Sequence, residues 1–194
     1  LSSALNVGVS RFKSFSIASW NTRALQAAND GKRRVRWRKV FDLARRFRVI
    51  CLQETHIAES TASLSSHRLT KSHRSWHAPA GDGGVGGVTT CVCNSLFEAG
   101  AIASCVIVVP SRVLRVTLST DTLALHIWNV HNFEIDKPDQ ARALSLLQSD
   151  INESEARPGG SVVIVCGDWN FLAAGDSRFQ YDRPHEPGAT AGAW

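Results

Sequence analysis

The chain has 194 residues, 43% hydrophobic and 20% charged, with a formal net charge of +5. This composition fits one globular domain with a real core and excludes disordered and fibrous chains. No apolar run approaches the roughly 20 residues that span a bilayer, and the opening LSSALNVGVS lacks the basic and apolar regions of a signal peptide.

The sequence contains no Met, so it is expected to be a segment of a larger translated product. Five Cys are present, none in a C-x-x-C pair. Cys51 and Cys166 sit inside apolar runs, where a free thiol acts as a small hydrophobe. Cys91 and Cys93 alternate along a strand and lack zinc-ligand spacing. Reduced cysteines, no structural metal, no disulfide-linked partner and an intracellular location are therefore expected. The 17 Arg against 5 Lys favour polyanionic partners, since guanidinium forks match phosphate oxygens. Codon bias in a GC-rich genome gives the same excess, and the sequence leaves both open.

In chain order, FSIASW at 15–20 predicts a short strand ending at Asn21. KRRVRWRKVFDLARRFR at 32–48 predicts an amphipathic helix, with Trp37, Val40, Phe41, Ala44 and Phe47 on its apolar stripe. Its opposite face carries Arg33, Arg34, Arg38, Lys39, Arg45, Arg46 and Arg48, either simply solvated or a nucleic-acid contact. VICL at 49–52 reads as a buried strand running into Gln53 and Glu54, and 57–75 as a Ser/Thr/His-rich surface loop.

Gly81, Gly83 and Gly86 formally match G-x-G-x-x-G, but the strand-like VTTCVC follows where a dinucleotide site needs a helix, so that reading is rejected. SCVIVV at 104–109, RVLRVTL at 112–118 and LALHIWNV at 123–130 predict three more strands. Asp136 and Pro138 open a helix whose expected stripe is Ala141, Leu144, Leu147 and Ile151. It stops at 157–160, and VVIVC at 162–166 is the last predicted strand; beyond Phe171 the chain is polar and Pro/Gly-rich.

Strands alternating with helices predict α/β or α+β layering. Three apolar runs end in polar residues: Asn21, Glu54, and Asp168 with Asn170. Sites in layered α/β folds gather beyond the C-terminal ends of strands, so these groups are expected to converge at one sheet edge. A Glu54 carboxylate with the neutral oxygen of Asn21 suits Mg²⁺. Asp168 would orient or deprotonate a water and Asn170 would donate to a phosphate, the requirements of phosphodiester hydrolysis. Taken singly, such residues are also common in turns and helix caps.

SWN at 19–21, ICLQETH at 50–56, GGVGGVTTCV at 83–92, IWNVHNF at 127–133 and VVIVCGDWNF at 162–171 resemble the ordered motifs of the endonuclease/exonuclease/phosphatase superfamily. QETH and GDWN look most like the endonuclease domains of non-LTR retrotransposons. The resemblance implies a deoxyribonuclease I-like fold, a four-layer β-sandwich flanked by helices, over residues 15–172, with an extension at 1–14 and a tail at 173–194. It implies Mg²⁺ or Mn²⁺ held by Glu54 and Asn21, and DNA as substrate. Asp168 and Asn170 would position the nucleophilic water and the scissile phosphate, and Asn129 would face that phosphate. His131 stands where the family usually has Tyr; an imidazole also donates to phosphate. His56 is expected to pack or hydrogen-bond locally. A nuclear location follows only from the DNA reading.

The family's fold continues with strands carrying a Ser-Asp-His, whereas no Asp-His pair occurs in this chain and His185 lies in a Pro/Gly-rich stretch. The expectation is thus a fold lacking its last strands. Two alternatives stand beside a Mg²⁺-dependent DNA endonuclease. One is an inactive, nucleic-acid-binding fragment. The other is a member of the same fold that removes phosphate from lipids, inositol phosphates or RNA tails.

Overall fold

In the computed structural model, which describes residues 16–121, 123–156 and 160–170, the elements run in order β1 (Ile17–Asn21), α1 (Asp30–Arg46), β2 (Val49–Gln53), α2 (Glu59–His67), β3 (His73–Ala78), β4 (Val88–Cys93), α3 (Asn94–Glu98), β5 (Ile102–Val109), β6 (Val113–Ser119), β7 (Ala124–His131), α4 (Lys137–Ala156) and β8 (Ser161–Asp168). The expected extension at 1–14, Phe15, the helix stop at 157–159 and the tail with His185 lie outside the described residues.

Two four-stranded sheets form, in the orders β1-β2-β4-β3 and β5-β6-β7-β8. Each contains one parallel pair, β1 with β2 and β7 with β8, and the remaining pairings are antiparallel. Both parallel pairs are joined by a helix, α1 in the first sheet and α4 in the second. A parallel crossover needs such a connection, and it brings two strands to an end at the same edge of each sheet. The layering matches the deoxyribonuclease I-like expectation.

β2 shows why the layers hold. Val49 and Cys51 point between the sheets and join Val88, Val92, Leu114, Val116, Leu125 and Ile127 in one buried cluster. Ile50 and Leu52 point the other way, under Trp37 and Val40 of α1. A strand buried on both faces reads as a continuous apolar run, and each fully buried aliphatic side chain contributes about 1.5–3 kcal/mol. Asn29 caps α1, its Oδ1 accepting from Lys32 N at 2.9 Å. The basic face of α1 is exposed, with Arg33 and Arg45 paired to Asp30 and Asp42 one turn away.

Three expectations need correction. The segment 57–75 is not one loop: it contains α2 and the start of β3. β3 is an edge strand of its sheet, so HRSWHA carries polar residues that hide the strand signal. The short α3 was not expected. The face of α4 packed on the core is Ala143, Leu146 and Leu147, half-buried, with the buried Asp150; Leu147 was expected there, while Leu144 is 65% and Ile151 37% exposed. The reason is Asp150, a buried carboxylate that accepts from Trp128 Nε1 at 2.9 Å and pairs with Arg115 at 3.2 Å. Hydropathy cannot mark a carboxylate as the anchor of a helix, so the predicted stripe is rotated. The Asp136 cap is present, its Oδ1 accepting from Asp139 N at 2.8 Å.

No helix among the described residues is long and apolar enough to cross a membrane. The described cysteines are all free.

Candidate active site

The C-terminal ends of both parallel pairs meet. Asn21 closes β1, Glu54 follows β2, His131 closes β7 and Asp168 closes β8. Asn21 Nδ2 donates to Glu54 Oε1 at 2.8 Å and to Asp168 Oδ2 at 2.5 Å. The amide is oriented by its own Oδ1, which accepts from Arg23 N at 3.0 Å. One carboxamide thus bridges two carboxylates that are 114 residues apart in sequence.

His131 is buried, and its Nε2 lies 3.3 Å from Glu54 Oε1. Its Nδ1 lies 3.4 Å from Arg112 Nη1. A guanidinium only donates, so Nδ1 is the acceptor at this contact and Nε2 faces Glu54. The hydrogen bond from His131 lowers the Glu54 carboxyl to about 2, assisted by Asn21 and opposed by burial. Glu54 is therefore an anion at any physiological pH. Burial lowers His56 below the usual imidazole value, with the Glu54 charge opposing.

Backbone strain concentrates here. Glu54, His56 and Asn170 have φ of 49°, 54° and 49°, a region that non-glycine residues rarely occupy and that costs of order 1–3 kcal/mol each. The surrounding structure holds them. Gly86 O and Gly87 O accept from His56 N and Thr55 N at 2.9 and 3.0 Å, and a Cβ on Gly87 would meet Thr55 Oγ1 at 2.8 Å. This is the work of the glycine run rejected as a dinucleotide site: it lets a loop pass directly beneath the Glu54–His56 turn. On the other side, Gly167 pairs with Val130, and a Cβ there would stand 1.9 Å from Val130 O. Only glycine lets β8 approach β7 so closely, which sets Asp168 in register with His131.

Asn170 follows two residues on, its backbone N donating to Asp168 Oδ1 at 3.1 Å in an Asx turn. Asn129 sits deeper than the other sequence-predicted residues. It is fully buried between the sheets, accepting from Gln53 Nε2 at 2.7 Å and donating to Leu52 O and Thr89 O at 3.2 and 2.9 Å. Its amide ties one sheet to the other beneath the site rather than opening to solvent. Arg112 was missed by sequence reasoning. It precedes β6, and its nearness to His131 follows only once β6 is known to pair with β7.

The carboxylate oxygens of Glu54 and Asp168 and a ring nitrogen of His131 lie within 4.8 Å of one another. Two anions this close repel unless donors or a cation stand between them, and hard oxygen donors fit Mg²⁺ or Mn²⁺.

The pattern of the endonuclease/exonuclease/phosphatase family matches residues 18–190. The chain belongs to that family. Several solved structures are similar to this chain at low identity. TDP2 from C. elegans is 16% identical with a TM-score of 0.54, over 84% of this chain and 50% of that one. D. rerio TDP2, complexed with a single-strand DNA product, is 18% identical with a TM-score of 0.50, over 82% and 62%. An AP endonuclease from Archaeoglobus fulgidus is 17% identical with a TM-score of 0.49, over 81% and 58%. The chain thus spans about half to three fifths of the length of these structures. No curated protein matches the sequence. Within the family, a strand-end cluster of two carboxylates, an amide and an imidazole is chemistry suited to a phosphoester.

Proposed function

We propose that this chain is the metal-dependent, phosphodiester-hydrolysing part of a DNA endonuclease of the non-LTR retrotransposon type. The observation that carries the reading is the single Asn21 amide bridging Glu54 and Asp168 at 2.8 and 2.5 Å beside His131. Glu54 and Asp168 would hold the Mg²⁺ or Mn²⁺ with Asn21 beside them. When bound, the ion neutralises charge on the phosphate.

The chain's own residues supply the rest. Asp168 carries a second oxygen to orient the attacking water and accept its proton. Asn170 donates to a phosphate oxygen, His131 holds the Glu54 carboxylate in place, and Arg112 adds a fixed positive charge behind the imidazole. Asn129 acts beneath, by holding the two sheets at the spacing the site needs. DNA is favoured as substrate by the basic balance of the chain and by the DNA product bound to the D. rerio relative. QETH and GDWN favour the retrotransposon type.

The test is cleavage of a labelled DNA oligonucleotide with Mg²⁺, with Mn²⁺ and with EDTA. Metal-dependent cleavage supports the reading; cleavage unaffected by EDTA contradicts it.

A second reading, binding of nucleic acid without cleavage, is favoured by the exposed basic face of α1. Binding that weakens steeply with salt, with no product at any metal concentration, would select it.

A further inference from the structure

Among the described residues, two large aromatic side chains are exposed, Phe133 at 41% and Trp169 at 39%. The other exposed large hydrophobics there are aliphatic. Scattered exposed apolar residues are ordinary, but these two flank the site. Phe133 lies two residues beyond His131, and Trp169 directly follows Asp168. Asn132 ties the two segments together, its backbone N donating to Asp168 O at 2.8 Å and its Nδ2 to Trp169 O at 2.9 Å. The Phe133 ring is held in position rather than loose. It stacks on the His131 imidazole at 5.9 Å and 12°, and the Arg112 guanidinium lies 5.5 Å from its centroid.

Planar rings beside cationic groups at a phosphate site are how proteins hold unpaired bases, because every nucleobase offers a π-face. A base inside a duplex is already stacked on both faces, and extracting it costs a few kcal/mol. We infer that Phe133 and Trp169 form a stacking rim for nucleobases next to the hydrolysed phosphate, so that the site selects single-stranded or locally unpaired nucleic acid over paired duplex. This rests on the phosphodiester reading above and deepens it by naming the substrate class.

The experiment compares kcat/KM of the full chain on three substrates in Mg²⁺: a mixed-sequence single strand, its duplex, and an abasic strand with the same phosphates. It is repeated with Phe133→Leu, Trp169→Leu and the conservative Phe133→Trp. The parent should prefer the single strand over both the duplex and the abasic strand. In each Leu variant the ratio of base-containing to abasic kcat/KM should fall about 5- to 100-fold, the size of one lost base–aromatic stack, mainly through KM. Phe133→Trp should keep the ratio. An unchanged ratio in both Leu variants, or a parent that prefers duplex, overturns the stacking rim while leaving hydrolysis in place. Failure to cleave any of the three strands overturns the hydrolytic reading, and the rim falls with it.

Discussion

His131 Nε2 lies 3.3 Å from Glu54 Oε1, and this contact joins the imidazole that closes one sheet to the carboxylate that follows the other. It is the largest cause of the low Glu54 value of about 2, against an ordinary 4.5. As pH falls, the unfolded chain takes up this proton before the folded one does. The contribution of Glu54 to stability is therefore fully present above about 4.5 and is lost as pH falls toward 2. Urea unfolding followed from pH 5 to 2.5 should show this loss in the parent. His131→Leu should flatten it, and an identical slope in the variant would contradict the assignment.

Asn129 should matter to stability more than to chemistry. Truncation to Ala removes the amide that the carbonyls of Leu52 and Thr89 accept from, and leaves Gln53 Nε2 with only Ser19 Oγ and Cys51 O at 3.1 and 3.3 Å. Each buried polar group left without a partner costs about 1–3 kcal/mol, so Asn129→Ala should destabilise by roughly 2–4 kcal/mol in denaturant unfolding. A variant as stable as the parent would mean that water replaces the amide.

Gly167→Ala tests the close approach of β8 to β7. The added Cβ would meet Val130 O at 1.9 Å, and neither atom belongs to a flexible side chain. β8 must move outward and carry Asp168 with it. Because a displacement of about 1 Å at a site can cost 100-fold in rate, kcat should fall by about that factor. A kcat near that of the parent would show that Asp168 is not placed by this contact.

Metal binding should be visible without any substrate. A ligand that binds only the folded state at 100 times its Kd stabilises by about 2.7 kcal/mol. Adding Mg²⁺ or Mn²⁺ should raise the Tm of the parent, and Glu54→Gln, which keeps the shape but not the charge, should abolish the rise. An equal rise in the variant would move the ion elsewhere.

The parts of the fold legible from sequence were those with clean periodicity. The α1 stripe from Trp37 to Phe47 and the doubly buried β2 follow directly from residue pattern, and the strand ends at Asn21, Glu54 and Asp168 do converge. What stayed hidden depends on tertiary neighbours. β3 is an edge strand and α4 is anchored by Asp150, so hydropathy misreads both. Whether Asn129 faces solvent or the opposite sheet is decided by the packing of the two layers, which no local pattern encodes. Arg112 reaches the site only through the pairing of β6 with β7.

The most direct measurement is nicking of supercoiled plasmid in Mg²⁺ by the parent chain, Glu54→Gln and Asp168→Asn. The parent should nick, EDTA should stop it, and each variant should be slower by at least about 100-fold while folding as the parent does by circular dichroism. Nicking that survives both substitutions would contradict the assignment of Glu54 and Asp168 as the centre of the site.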